Sequence, residues 1–561
     1  MIRRPAVLLL AALLAACPSG PAKRRPLVVD KPVRGGVLKA LLSEDVDFLD
    51  PQRASEPAAV SLMHIMHRGL MSFPSSLEAS AGEPVPDLAA APPTMSADGR
   101  TYTFTVRTDV SFGPPASRAL TSADVRAGIM RLIAPGTVSP YAPYFRIISG
   151  ATDYSAHRRP TLTGISAPNP TTVVVKLDRP NNDLLSILAL PAAAAVPAEI
   201  AARSTPANIS PSGPYMLAPA DGYVAEESIH LVRNPAWTAE SDPVRGGYLD
   251  EIRITIGRTA DQIQTALSRG NADLSLDEPP DLASPASNPL LQPRTHVVAN
   301  GCLRYLWMNT RIKPFNDVHV RAAVASAVDR GPVLGAAGGE QAGIVTSWPL
   351  PRTVIGYVAP SEPPPSPDPQ SARAALTRAR LPSGFTTRLV VGDRPVDVAQ
   401  GQAIVAALGA AGIVVRLQTM PIASLYVDGY ELPSKKIPMG IATWCADWNG
   451  LGGRAMLTPL LDGRTIVSRG NNNYAQLKSP AMSRLFDAAA VAPPARAEEA
   501  WRAAAALVAR LAPWVPLLDL SEASLTSSWV ARFVASPAYP RGDLASISLR
   551  PDAVAPAPSG S

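Results

Sequence analysis

Apolar and polar positions recur along this chain with two periods, and the switches between them mark out its elements. Gly35-Gly36 opens an apolar run from Val37 to Leu42, read as a buried strand, and a helical stretch follows from Ala58 to Leu70. Tyr102 to Val106 alternates as a half-buried strand does. Thr121 and Asp124 have the spacing of a capping box for a helix running to Leu132, and Thr172 to Leu177 returns to the strand pattern. The proline-rich stretch from Thr205 to Pro214 reads as a crossover; Tyr248 to Ile256 reads as a strand and Thr259 to Arg269 as a helix stopped by Gly270. A strand at Leu303 to Met308 precedes one helix from Val318 to Asp329, capped by Asn316 or Asp317, and Ser361 to Pro369 predicts no regular structure. Arg388 to Val391, the alanine-rich helix from Val398 to Ala411 ending at Gly412, and Ile413 to Thr419 then form a βαβ crossover, so the sheet there is parallel. Ala495 to Ala512 is a further helix, Asp552 to Ser561 is expected to be a disordered tail, and no internal repeat is present.

The start of the chain departs from this alternation. Arg3 and Arg4 precede an unbroken apolar run from Ala6 to Ala16, the basic and apolar regions of an export signal, too short for the ~20 residues of a spanning helix. Leu14-Ala15-Ala16-Cys17 resembles a lipobox, in which the cysteine is acylated and becomes the mature N-terminus. Residues 1–16 are therefore expected to be removed, and 17–32 to act as a polar tether.

Composition narrows the class. With 561 residues, 46% of them hydrophobic and 17% charged, the chain can bury several cores and has no signature of a disordered protein. Its net charge of +6 is spread out, not gathered into basic runs, so nucleic acid is not an expected partner. The 60 prolines, about twice the usual share of ~5%, imply many extended connections. If Cys17 carries lipid, Cys302 and Cys445 remain, and an even pair in an exported protein is most simply a disulfide, with two buried thiols as the alternative. Of six histidines only His64 and His67 share a helix face, and no further ligands accompany them, so packing is favoured over metal binding. Metalloprotease, phosphate-loop, dinucleotide-binding and nucleophile-elbow motifs do not occur. No enzyme, cofactor or metal is expected.

A series of short motifs carries a resemblance. In order they are Gly35-Gly36-Val37-Leu38 with Leu49-Asp50-Pro51-Gln52, Pro86-Asp87-Leu88-Ala89, Asp98 to Phe104, Thr121 to Val125, Ser212-Gly213-Pro214-Tyr215, and Arg233-Asn234-Pro235 with Trp237. Tyr248 to Ile252, Asn309-Thr310, Pro314 to Val318 and Val320 to Val324 continue it. The chain resembles family 5 of the extracellular solute-binding proteins, the oligopeptide- and dipeptide-binding components of ABC importers. Trp444-Cys445-Ala446-Asp447-Trp448 looks like the strand of peptide-binding members whose aspartate meets the α-ammonium of the ligand, and Cys302 sits where such members carry the partner of Cys445 in a disulfide. Asn449-Gly450-Leu451-Gly452-Gly453 replaces the usual Pro-Asp-Pro-like turn.

The resemblance implies an α/β, two-lobe periplasmic-binding-protein-like fold of type II with an extra domain inserted in the first lobe. It divides the chain into lobe I at 33–73, 205–301 and 524–551, the insert at 74–204, and lobe II at 302–523. It also implies capture of a solute outside the membrane, with peptides as the leading class, and delivery to an ABC permease by hinge closure. An oligosaccharide, opine or metal chelate is the alternative ligand, and a tethered hydrolase a distant one. Asp447, Trp444, Cys445, Ala446, Trp448, Tyr305, Ser55 and Glu56 make up the expected ligand-contact set. The protein is expected to act as a monomer, held by lipid on Cys17 to the outer face of the cytoplasmic membrane.

Overall fold

The computed structural model describes residues 31–75, 82–199, 210–277, 288–359 and 366–553. The expected signal, Cys17, nearly all of the tether and the last eight residues lie outside them.

Three sheets organise the chain. The first orders Leu274–Ser275, Val37–Leu41, Glu251–Thr255, Ser228–Arg233 and Tyr215–Leu217 side by side, with Tyr223–Val224 attached to Ser228–Arg233. Val37–Leu41 runs parallel to Glu251–Thr255, so residues more than two hundred positions apart share one core. Next comes an antiparallel sheet of Thr94–Met95, Thr101–Thr105, Thr172–Lys176 and Ile165–Asn169, inserted between the segments of the first. The third orders Gly343–Val345, Trp514–Leu525, Thr295–Met308, Met439–Cys445, Phe385–Gly392 and Ile413–Met420. Together they make two lobes, the first carrying the inserted domain.

Local signals explain most element ends. Asp124 of the helix Ser122–Ile133 accepts the Thr121 amide at 2.8 Å, closing the expected capping box. The Thr259 side chain accepts the Gln262 amide, and Gly270 ends Ala260–Arg269 at φ +73°, where a side chain would be strained. Phe385–Gly392 and Ile413–Met420 pair in parallel around the helix Pro395–Ala410, as the βαβ pattern required.

Other expectations need correction. The first helix is Pro57–Met66 and does not reach Leu70, because His67 turns extended at φ −130°, ψ 151°. The helix expected from Val318 to Asp329 ends at Ala327, since Val328 is extended, and Asp329 instead caps a further helix, Arg330–Ala336, through the Gly331 amide. Irregular structure was expected through Pro369, yet a helix begins there: Asp368 accepts the Ser371 amide and proline fills the first helical position. Leu303 to Met308 is only the end of a strand that starts at Thr295. Within the expected tail, Asp552 and Ala553 belong to a 3-10 turn, Pro551–Ala553.

Two features fix the geometry between bodies. Buried ion pairs bind the insert to the first lobe: Arg68 and Arg245 both hold Asp87, at 2.7 and 2.8 Å, and Arg131 of the insert grips Asp50. The long strands Thr295–Met308 and Trp514–Leu525 pair from end to end and pass between the lobes. Their outer residues pack with the first lobe, as Leu525 does beside Leu41 and Ile263, while Trp514 and Leu303 lie in the second-lobe core. Their register slips between Ala299 and Leu303, where Gly301 has φ +73°.

Candidate ligand site

The strand Met439–Cys445 pairs with Thr295–Met308 from Met308↔Met439 to Cys302↔Cys445, which sets the two cysteines directly opposite, their sulfurs 2.01 Å apart. The Ala446 amide donates to the Gly301 carbonyl at 3.1 Å. Backbone groups alternate sides along a strand, so the N–H and C=O of Thr443 and Cys445 turn toward the opposite edge. There the neighbouring strand Phe385–Gly392 meets this one only at Val390↔Gly440 and ends at Gly392. The last residues of the strand thus present an uncovered edge among the described residues, the template for an added strand.

Asp447 stands just past this edge. Its Oδ2 accepts the hydroxyl of Tyr144, which belongs to the insert, at 2.5 Å. Burial pushes the Asp447 carboxyl up to about 6, and the Tyr144 hydrogen bond pulls against that rise. The residue itself is exposed, so the carboxylate keeps an open side to solvent. Burial, then the Asp447 charge, raises Tyr144 far above the ordinary phenol range and keeps it a donor.

Other expected contacts fall into three groups. Trp444 is half-buried and pinned by donation from Nε1 to the Ala455 carbonyl at 3.1 Å, Cys445 is exposed, and Ala446 is half-buried. Ser55 and Glu56 lie at the start of the first helix, where Asp47 accepts the Ser55 amide and hydroxyl and the Glu56 amide at 2.8, 2.7 and 3.2 Å. Burial, then the charges of Asp47, Glu44 and Asp277, raises the Glu56 carboxyl. Burial, then the charges of Asp447 and Asp47, raises the hydroxyl of Tyr141, on the insert, above the ordinary phenol range. Two assignments are corrected. Tyr305 is 1% exposed and its ring lies 4.4 Å from that of Trp514, tilted at 56°, because strand alternation turns Leu303, Tyr305 and Trp307 into the second-lobe core. Trp448 is also 1% exposed: it packs into the core of the insert and donates from Nε1 to Leu451 at 3.1 Å, so it is not a pocket wall.

Sequence reading missed Tyr144, Tyr141, Arg454 and Asp183. No periodic signal marks them; Arg454 alone follows a motif already singled out, the glycine-rich turn. His64 and His67 are buried, His64 in contact with Tyr539 at 2.8 Å and His67 pushed down to about 4 by burial, and no metal-binding group occurs among the described residues. A surface hollow of about 330 Å³ lined by Arg34, Arg233 and Trp237 shares no residue with the Asp447 site, and Arg233 there is taken by Asp250 and two carbonyls.

Two lobes joined by paired strands, with an open strand edge and a carboxylate facing the insert, define a binding protein of the two-lobe solute-capturing class. The chain belongs to the bacterial extracellular solute-binding proteins, family 5, whose model matches residues 83–456. Members are binding proteins of ABC importers that work outside the cytoplasm, and the protein is not an enzyme. It is 25% identical over 466 residues to heme-binding protein A of Haemophilus influenzae, covering 79% of this chain and 80% of that one. Over 514 residues it is 25% identical to the periplasmic oligopeptide-binding protein OppA of Salmonella typhimurium, covering 87% and 88%. The solved structure titled clavulanic acid biosynthesis oligopeptide binding protein 2 superposes with a TM-score of 0.84 at 28% identity, over 92% of this chain and 96% of that one. No helix among the described residues is long and apolar enough to cross a membrane.

Proposed function

We propose that this protein captures peptides, holding the backbone as an added strand beside Thr443–Cys445 and the α-ammonium on Asp447. The observation that carries this reading is the coincidence of an uncovered strand edge with an acid at its end whose Oδ1 has no partner among the described residues. Main-chain bonding supplies affinity without reading side chains, so many sequences are accepted. The oligopeptide-binding relatives support the same class, while the heme-binding relative names the alternative. Native mass spectrometry of the purified protein tests it: a ladder of peptide masses is expected, and a single non-peptide mass refutes it.

The lobes divide as lobe I at 33–73, 205–301 and 524–551, insert at 74–204, and lobe II at 302–523, with bending at the register slip beside Gly301. Cys302 and Cys445 form a disulfide that ties the hinge-side strand to the ligand strand. The protein works as a monomer, anchored by lipid on Cys17. One acyl chain binds a membrane only marginally and two bind stably, so Cys17→Ser should release the exported protein from the membrane fraction. Retention after signal removal refutes the anchor.

A further inference from the structure

Glycines shape the turn that follows Trp448. A Cβ on Gly452 would lie 2.0 Å from the Trp448 carbonyl oxygen, one on Gly453 2.3 Å from the Trp501 ring, and one on Gly450, at φ +63°, 2.6 Å from the carbonyl of Gly82 in the insert. Only glycine fits this path, and the path brings Arg454 back beside the end of the ligand strand. The Arg454 guanidinium holds the fully buried carboxylate of Asp183 through two bonds, 2.6 and 2.9 Å. It also lies 5.4 Å from the ring of Tyr144 and 5.5 Å from that of Trp448. Tyr144 meets Trp448 edge-on at 4.8 Å. Tyr144 and Asp183 belong to the insert; Asp447, Trp448 and Arg454 belong to the second lobe.

We propose that Tyr144 is a positioning residue for the ligand anchor: reaching across from the insert, and braced by the Arg454–Asp183 pair, it fixes the Asp447 carboxylate and leaves Oδ1 as the acceptor for a primary ammonium. This rests on the assignment of Asp447 as the anchor. A free carboxylate turns about its terminal bond, whereas one pinned through Oδ2 presents Oδ1 in a set direction, which a charge-assisted hydrogen bond rewards. Donor and carboxylate come from different bodies, so the anchor is complete only when those bodies meet. Selection of ammonium over neutral amide is therefore made in that joined state. The glycine-rich turn, in place of a proline turn, delivers the arginine that steadies the tyrosine.

Tyr144→Phe removes the hydroxyl and keeps the ring against Trp448 and Arg454. An equimolar tripeptide library and the same library N-acetylated are offered to the parent, Tyr144→Phe and Asp447→Asn, and bound populations are read by native mass spectrometry. The parent should prefer the free-amine pool, and Tyr144→Phe should lower that preference about two- to tenfold, the worth of one hydrogen bond, with the acetylated pool unaffected. An unchanged preference, or equal weakening toward both pools, shows a packing role only and overturns the proposal. If Asp447→Asn abolishes the preference while Tyr144→Phe preserves it, the proposal alone falls. If the parent shows no preference, or Asp447→Asn retains it, the anchor assignment falls and takes the proposal with it.

Discussion

Replacing Asp447 by asparagine keeps its shape and its contact with Tyr144 while removing the charge. The magnitude follows from its surroundings. A fully buried ion pair loses ~3 to 5 kcal/mol when one partner is removed, and a fully exposed pair is worth under ~1 kcal/mol. Asp447 is open to solvent and Tyr144 occupies one of its oxygens, which leaves one charge-assisted hydrogen bond for an ammonium. Such a bond contributes ~1.5 to 3 kcal/mol, so the variant should lose about ten- to 150-fold in affinity for a free-amine peptide. The pH dependence has a definite sign. The ammonium needs the ionised carboxylate, and burial has raised that carboxyl to about 6, so affinity should be full above that pH and fall as pH drops through it. Contact with the ammonium lowers the carboxyl again in the complex, and binding below pH ~6 therefore releases a proton. Calorimetry with the strongest tripeptide of a defined library, at several pH values and in buffers of different ionisation enthalpy, reads affinity and proton release together. Asparagine binding within threefold of the parent, or retaining the acid limb, would refute the assignment.

Trp448→Ala should act on stability more than on affinity, costing ~3 to 5 kcal/mol in urea unfolding, because the indole lies in the core of the insert. Gly453→Ala forces a Cβ to 2.3 Å from the Trp501 ring and should cost ~1 to 3 kcal/mol, while Gly409→Ala, with nothing within 4 Å, should gain up to ~1 kcal/mol in the same assay. Cys302 and Cys445 are register partners 143 residues apart, and a staple closing that loop is worth up to ~5 kcal/mol in the chain-entropy model. Non-reducing peptide mapping should recover them linked, and Cys302→Ser should lower the urea midpoint; free thiols in the exported protein would contradict this.

Much of the fold was legible because its signals act within a few residues. Thr259 with Gln262 and Gly270 mark both ends of one helix, Thr121 with Asp124 marks the start of another, and the strand–helix–strand pattern ending at Ile413–Met420 dictates a parallel pair. The Trp444 to Trp448 motif likewise indicated which strand to examine. One helix start was less legible, because Asp368 and Pro369, its cap and first residue, close a proline-rich stretch that reads as irregular. The side that each aromatic faces was decided only by tertiary packing. Cores lie on both faces of the central second-lobe strand, so Cys302 to Met308 lacks the polar alternation that tells inside from outside, and Tyr305 went to one core while Trp448, past the end of its strand, went to another. The partners of Asp447 were beyond reach for the same reason: Tyr144 lies 303 residues away, and Asp183 is 271 from Arg454. A hydrogen bond between two bodies leaves no period in either segment. It exists only because the insert, locked to the first lobe by buried ion pairs, meets the second lobe at the end of one strand.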